Sequence, residues 1–361
     1  MELRVSRTDL STSRTSRTPR KDLGNVLREK RGYHLVVVKS TVVPGTTNGV
    51  VKRFLEQSSR KTIGSELGLC ANPEFLKEGT AISDALHPDK IVIGSNDKKS
   101  ASELTKLYRR FYGSMLPRTI LTSPEAAELV KYASNAFLAT KVSFINTIAN
   151  IAEQIPGVDV GTIAEAIGLD PRIGPLFLKA GPGYGGSCFH KDLQAIINYS
   201  QNENYDPILF RATEETNEQQ ASRVVGMAEK LLGSLSSKRV AVLGLAFKKD
   251  TDDIREAASI RVINQLNKKG ARVIAYDPMA IPNTKKQLLD LIDYAENAHS
   301  ALKGADCAII MTEWEQFRKL KAKDFQAYMR TPNLVDARRI YNPEEFSGLN
   351  YISIGLGPSR E

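Results

Sequence analysis

Cysteine is scarce in this chain of 361 residues, which has only three. An odd, small number excludes a disulfide framework and fits a reducing, cytoplasmic compartment. Histidine is nearly as rare. His34, His87, His190 and His299 are scattered without ligand spacing, so no metal site is predicted. No apolar run reaches the roughly eighteen residues of a membrane span, so no membrane association is expected. The start of the chain has no apolar h-region and does not read as a secretory signal. A G-x-G-x-x-G turn, which admits a dinucleotide pyrophosphate, is absent from residues 1–32, where Gly24 and Gly32 are the only glycines.

The net charge of +9 invites a nucleic-acid partner, but its distribution argues against one. Residues 1–31 hold nine Lys/Arg and four Asp/Glu, a net of +5, which leaves +4 for the other 330 residues. The excess belongs to an N-terminal segment rather than to a folded face. Residues 1–20 are dominated by Ser, Thr and Arg without apolar period, a composition that does not order itself. A shifted reading frame or misplaced start accounts for this stretch better than an organellar transit peptide does.

From Leu23 the pattern becomes that of a folded protein. A short helix is expected over 25–31, then a strand at 34–39 whose continuous β-branched run predicts burial on both faces. A helix capped by Thr46 or Thr47 runs to about Gln57. Strands follow at 67–71, 91–94 and 118–121, with a helix over 98–112. Glu74 and Glu78 read as one helical turn apart on one face. Strands alternating with helices give an α/β domain with a mostly parallel sheet. Ser123, Pro124 and Glu125 then start a helix reaching about Gln154, long enough to join two domains or two subunits. Lys131 and Asn135 lie four apart on it. Short helices at 159–167 and 174–179 and longer ones at 189–200 and 207–233 complete a helical middle. A second α/β unit begins near 236, with strands at 239–244, 271–278, 307–311 and 333–336 and a helix over 256–269. Its first turn, Gly244 to Lys249, has bulk and two lysines where a dinucleotide turn has glycines. A nucleotide diphosphate held by lysine charge suits it better. The four segments are 1–22, 23–122, 123–235 and 236–361.

The stretch Gly181 to Asp192 stands out from the rest. Four glycines and a proline in six residues exclude regular structure, and Cys188 follows at the start of a helical pattern. Free amides and the positive dipole end of a helix favour a nucleophilic thiolate. Cys70 and Cys307, inside apolar strand patterns, read as core. His190 reads as a solvated loop residue.

Seven motifs in order, S-T-V-V-P-G-T at 40–46, N-P-E-F-L-K-E-G at 72–79, E-L-V-K-Y-A-S-N-A-F at 128–137, D-P-R-I-G-P-L-F-L-K-A at 170–180, G-G-S-C-F-H-K-D at 185–192, G-L-A-F-K-K-D-T at 244–251 and D-A-R-R at 336–339, resemble the UDP-glucose/GDP-mannose dehydrogenase family. The resemblance covers about 33–350. It implies two Rossmann-like parallel-sheet domains joined by a long central helix and a helical middle, with the first domain truncated. It also implies two-step oxidation of a sugar alcohol to a carboxylate with NAD, through a thiohemiacetal and thioester on Cys188. Glu74 would activate water, Lys131 and Asn135 would stabilise an oxyanion, and Thr41 and Asp192 would position water or carry protons. UDP-glucose would meet Phe177, Leu178, Lys179, Tyr184, Gly185, Lys249 and Arg338, and Arg172 would reach a neighbouring subunit's substrate. Thr41, Glu78, Lys191 and Arg255 would lie against the cofactor. At least a homodimer is implied. Members of the family open on a strand, G-x-G-x-x-G and a helix, which residues 1–32 do not supply. The expectation is therefore a first domain short of its pyrophosphate cradle. Three functional readings stay open: a UDP-glucose enzyme, one for GDP-mannose or a UDP-N-acetylhexosamine, and a silent UDP-sugar-binding remnant.

Overall fold

A computed structural model describes residues 18–359, with side chains described from residue 23 onward. It divides into two compact units at 134/135. The first holds a four-stranded sheet in the order β1 (His34–Val38), β2 (Leu67–Ala71), β3 (Ile91–Gly94), β4 (Thr119–Thr122). The pairs β1–β2 and β3–β4 are parallel, and β2 meets β3 antiparallel at Ala71 and Gly94. Helices α1 (Thr18–Glu29), α2 (Lys52–Ser59), α3 (Ala81–Leu86) and α4 (Lys98–Tyr112) accompany them. The two-residue period of β2 divides the core. Leu67 and Leu69 pack with Leu27 and Leu55, while Cys70 packs with Ile91 and Ile93 of β3 and with Leu104 of α4.

Four local expectations are corrected in this unit. β1 is half-buried along its whole length, not buried on both faces, because it lies at the edge of the described sheet. α1 begins at Thr18, inside the stretch expected to be disordered; Pro19 in its first turn costs no helical hydrogen bond. The rest of that stretch, 1–17, lies outside the described residues. No side chain caps the helix after β1: Gly45 takes the left-handed position and a π-helical turn, Thr46–Val51, precedes α2. Glu74 and Glu78 do not share a helix face. Residues 72–77 are irregular, the Glu74 carboxylate accepts from the Leu76 N–H at 2.5 Å, and α3 starts only at Ala81. Pro73 disfavours helix in the residue before it.

α5 (Pro124–Ala152) runs through the unit boundary. The second unit continues with α6 (Val160–Gly168), α7 (Phe189–Asn202) and α8 (Ile208–Leu232). Residues 174–179 are not helical, since Gly174 and Phe177 both take positive φ, at 68° and 65°. A six-stranded, wholly parallel sheet follows. It is made of β5 (Arg239–Leu243), β6 (Arg272–Tyr276), β7 (Asp293–Tyr294), β8 (Cys307–Ile310), β9 (Asn333–Asp336) and β10 (Asn350–Ser353), in the order β10-β9-β8-β5-β6-β7. This is the doubly wound arrangement, whose ligand crevice opens where the order reverses, between β5 and β8. Helices α9 (Ala258–Lys268), α10 (Ile281–Leu288), α11 (Ala298–Leu302), α12 (Glu315–Arg318) and α13 (Ala322–Tyr328) accompany the strands. Val240, Val242 and Ile309 join the α8 and α9 layer, and Ala241, Leu243 and Ile310 face Phe317 and Phe325. The described residues include no helix long and apolar enough to cross a membrane.

Asp277, just past β6, is a brace. It accepts from the N–H groups of Leu245 (2.8 Å), Ala246 (3.1 Å), Met279 (2.9 Å) and Ala280 (2.8 Å) and from Trp314 Nε1 (3.0 Å). Its oxygens are thereby used within the fold, although an acid at this strand end is a ribose ligand in dinucleotide folds. Asp277→Ala strands several buried donors. We expect it to cost about 3 kcal/mol in urea unfolding; a loss under about 0.5 kcal/mol would contradict the brace.

Candidate active site

The glycine loop is built by close backbone approach. A Cβ on Gly183 would lie 2.5 Å from Asn217 Oδ1, one on Gly185 2.5 Å from the Glu256 carbonyl, and one on Gly186 2.9 Å from the Phe247 ring. The glycines therefore seat the loop on protein neighbours. Asn217 Oδ1 accepts from the Tyr184 N–H at 2.7 Å and its Nδ2 donates to the Tyr184 carbonyl at 3.2 Å. The Gly186 N–H donates to the Arg255 carbonyl at 2.8 Å. Cys188 emerges from this loop at the N-cap of α7, exposed, with Sγ 3.6 Å from Ser187 Oγ.

Behind the thiol, Asp192 occupies the first turn of α7, where a carboxylate complements the helix dipole. It is 1% exposed, accepting from Asn135 Nδ2 and from Lys191 Nζ, both at 2.6 Å. His190 is not solvated as expected. It lies in the same turn, half-buried, with Nδ1 2.5 Å from Glu214 Oε2. Tyr184 is buried, its hydroxyl donates to the same carboxylate, and burial together with Glu214 raises its pKa far above the ordinary tyrosine value.

The remaining substrate candidates fall in three places. Phe177 lies tilted against Phe189, with ring centroids 6.2 Å apart, and Leu178 is buried. Arg338 Nε donates to the Met311 carbonyl at 2.7 Å and Nη2 to that of Phe247 at 2.8 Å, with Glu313 3.5 Å away. Lys179 keeps much of its surface open, yet desolvation of its ammonium lowers its pKa, opposed by Glu313. Arg172 grips Asp170 through Nη2 at 2.6 Å, Lys249 lies 3.6 Å from Asp250, and Arg255 grips Asp253 through Nη2 at 2.6 Å; all three are exposed.

The first unit brings Thr41, Lys131 and Glu74 to the carboxyl ends of β1 and β2. Lys131 is 4% exposed, with Nζ 3.3 Å from Glu74 Oε1. Thr41, Lys131 and Glu128 line a small cavity there with Ser40 and Pro73. Glu78 falls in the turn ahead of α3 and is exposed. Glu128 was not foreseen. Its carboxylate accepts from the Gly45 and Thr47 N–H groups at 2.7 and 2.8 Å, and burial raises its pKa. Glu214 and Asn217 were also missed. Their signal is phase: 214, 217, 221 and 224 are buried positions of α8 at helical spacing, two of them polar.

Three family profiles match the chain: UDP-glucose/GDP-mannose dehydrogenase family, NAD binding domain, over 13–112; the central domain over 125–219; and the UDP binding domain over 241–343. A relative, UDP-glucose 6-dehydrogenase AglM of Haloferax volcanii, is 44% identical over 96% of this chain and 78% of its own length. The chain belongs to the UDP-glucose/GDP-mannose dehydrogenase family. UDP-glucose 6-dehydrogenase TuaD of Bacillus subtilis is 39% identical over 90% of the chain and 69% of its own length. The structure of a UDP-glucose dehydrogenase from the archaeon Pyrobaculum islandicum superposes with a TM-score of 0.84 at 37% identity, covering 96% of this chain and 75% of that one.

Family membership implies NAD, and the described residues fit part of it. The small cavity at Thr41 and Lys131 sits at strand carboxyl ends, where such folds bind ligands. The turn after β1 is no pyrophosphate cradle, because its Gly45 and Thr47 amides are turned onto Glu128.

The three thiols differ in burial: Cys188 is exposed, and Cys70 and Cys307 are buried. Burial pushes Cys70 up to about 11 and Cys307 up to about 12, so both remain protonated at pH 8. Ellman's reagent at pH 8 should label one thiol rapidly in the native chain and none in Cys188→Ser. Two or three rapid equivalents would contradict this ordering.

Proposed function

We propose that this chain oxidises UDP-glucose to UDP-glucuronate in two NAD-dependent steps through covalent intermediates on Cys188. The observation that carries the reading is the exposed Cys188 at the start of α7, with the buried Asp192–Asn135 pair behind it. The relatives named UDP-glucose 6-dehydrogenase support UDP-glucose over GDP-mannose and UDP-N-acetylhexosamines.

When bound, NAD supplies a hydride acceptor for each oxidation. After the first, the sugar C6 is an aldehyde. The Cys188 thiolate adds to its carbon, forming a C–S bond and a thiohemiacetal. Loss of the second hydride and of the hydroxyl proton leaves a thioester. Water adds to that carbonyl, the thiolate departs, and a carboxylate remains. Lys131, as a cation, and Asn135, as an amide donor, stabilise the oxyanions formed on the way. Glu74 takes the proton of the attacking water, and Thr41 and Asp192 hold water and move protons. Phe177, Leu178, Lys179, Tyr184, Gly185, Lys249 and Arg338 hold the UDP-sugar, and Arg172 reaches the substrate of a second subunit. Thr41, Glu78, Lys191 and Arg255 bear on NAD. The division into 1–22, 23–122, 123–235 and 236–361 belongs to this proposal, as does a cytoplasmic setting, which three unpaired cysteines support.

A homodimer is part of the same reading. Phe137, Phe144 and Ile151 follow one another at seven-residue spacing on α5 and are 65%, 50% and 53% exposed. Such a stripe on a water-soluble helix needs a cover. Phe144→Glu should convert a dimer to a monomer in light scattering; an unchanged mass would remove this face from the interface.

For the chemistry, purified chain with UDP-glucose and excess NAD should form about two NADH per sugar, and Cys188→Ser should lose at least about 1,000-fold in turnover. UDP-glucose binding by calorimetry without any NADH would overturn the reading in favour of a silent binding protein.

A further inference from the structure

The loop that carries Cys188 has little to hold it in regular structure. Gly183 and Gly186 take positive φ, and glycine leaves the backbone free unless side chains fix it. Within this unit, one side chain bonds residues on both sides of the cysteine. Tyr184, four residues before the cysteine, donates its hydroxyl to Glu214 Oε1. His190, two residues after it, places Nδ1 2.5 Å from Glu214 Oε2, and Gln194 Nε2, one turn further along α7, donates to the same oxygen at 3.3 Å.

Glu214 projects from α8 and is 4% exposed, so water does not compete for its oxygens. A buried carboxylate is costly without partners, and removal of a donor leaves a desolvated oxygen. Glu214 already accepts from Tyr184 and Gln194, and the Nδ1–H tautomer of His190 gives it a third donor. The Tyr184 ring is fixed independently, edge to face with Phe189 at 5.6 Å. Asn217, three residues along α8 from Glu214, holds the Tyr184 backbone through both its amide atoms. One face of α8 thus grips the residues on either side of the thiol.

We propose that Glu214 and His190 are positioning residues that, with Tyr184, clamp the Cys188 loop and fix the thiol at the N-terminus of α7. Neither is assigned contact with substrate; both act through the placement of Cys188. The proposal rests on the reading of Cys188 as the nucleophile, and a small misplacement of a reacting atom is expensive in rate.

The test uses the full chain and two readouts. The first, alkylation of Cys188 by iodoacetamide at pH 7, needs no turnover. The second is steady-state NADH formation with UDP-glucose and NAD. Glu214→Ala and His190→Ala should each slow alkylation by about threefold or more, as the thiol leaves the helix amides. Each should lower kcat about tenfold, with KM for UDP-glucose changed less than about twofold. His190→Asn, which keeps an N–H donor near the place of Nδ1, should recover most of what His190→Ala loses. Glu214→Gln, isosteric and uncharged, provides the same comparison without a cavity. The double variant Glu214→Ala/His190→Ala should be no worse than the poorer single one, since both break one clamp. Alkylation and kcat at wild-type levels in His190→Ala and Glu214→Gln would overturn the proposal. A wild-type chain that forms no NADH defeats the functional reading instead, and the alkylation series then decides the clamp by itself.

Discussion

The second unit depends on a backbone that comes closer to its neighbours than any side chain would permit. At Gly183, Gly185 and Gly186 the main chain lies against Asn217, Glu256 and Phe247, with no room for a Cβ. That approach brings the loop within hydrogen-bonding reach of α8 on one side and of the 247–256 segment on the other. Cys188 is delivered to the start of α7 as a result. The exposure of the Cys188 thiol follows from where these contacts seat the loop.

Much of this was readable in the sequence. The β-branched and apolar runs at 67–71, 91–94, 239–243 and 307–310 became strands, and the alternation with helices gave the doubly wound sheet. Cys188 at a helix start and the pair of core cysteines follow from local composition. What failed was burial and local backbone. The run at 34–38 carries the pattern of a central strand, yet sits at an edge, because pairing is decided by the whole sheet and not by one strand. Glu74 and Glu78 have helical spacing, but Pro73 and the carboxylate of Glu74 itself favour an irregular turn.

The least legible residues were buried polar ones. Glu128, Glu214 and Asp277 are hidden carboxylates that accept from amides, a hydroxyl or an indole, and each fixes a loop that no periodicity describes. Their partners are distant in sequence, thirty or more residues away in the bonds from Tyr184 to Glu214 and from Trp314 to Asp277. Composition cannot announce such pairings. The hint lies in phase, where an acid falls on the buried stripe of an otherwise amphipathic helix.

The uneven burial of the three thiols has one more consequence, in redox terms. The openness of Cys188 admits a peroxide, and oxidation of an exposed thiol begins at sulfenic acid. Cys70 and Cys307 are both 0% exposed, so neither can approach as a resolving partner without unfolding its strand. An oxidised chain would have to borrow its reductant from outside, from a small thiol of the cell. Until then it would stand as an intact fold with its one exposed thiol blocked.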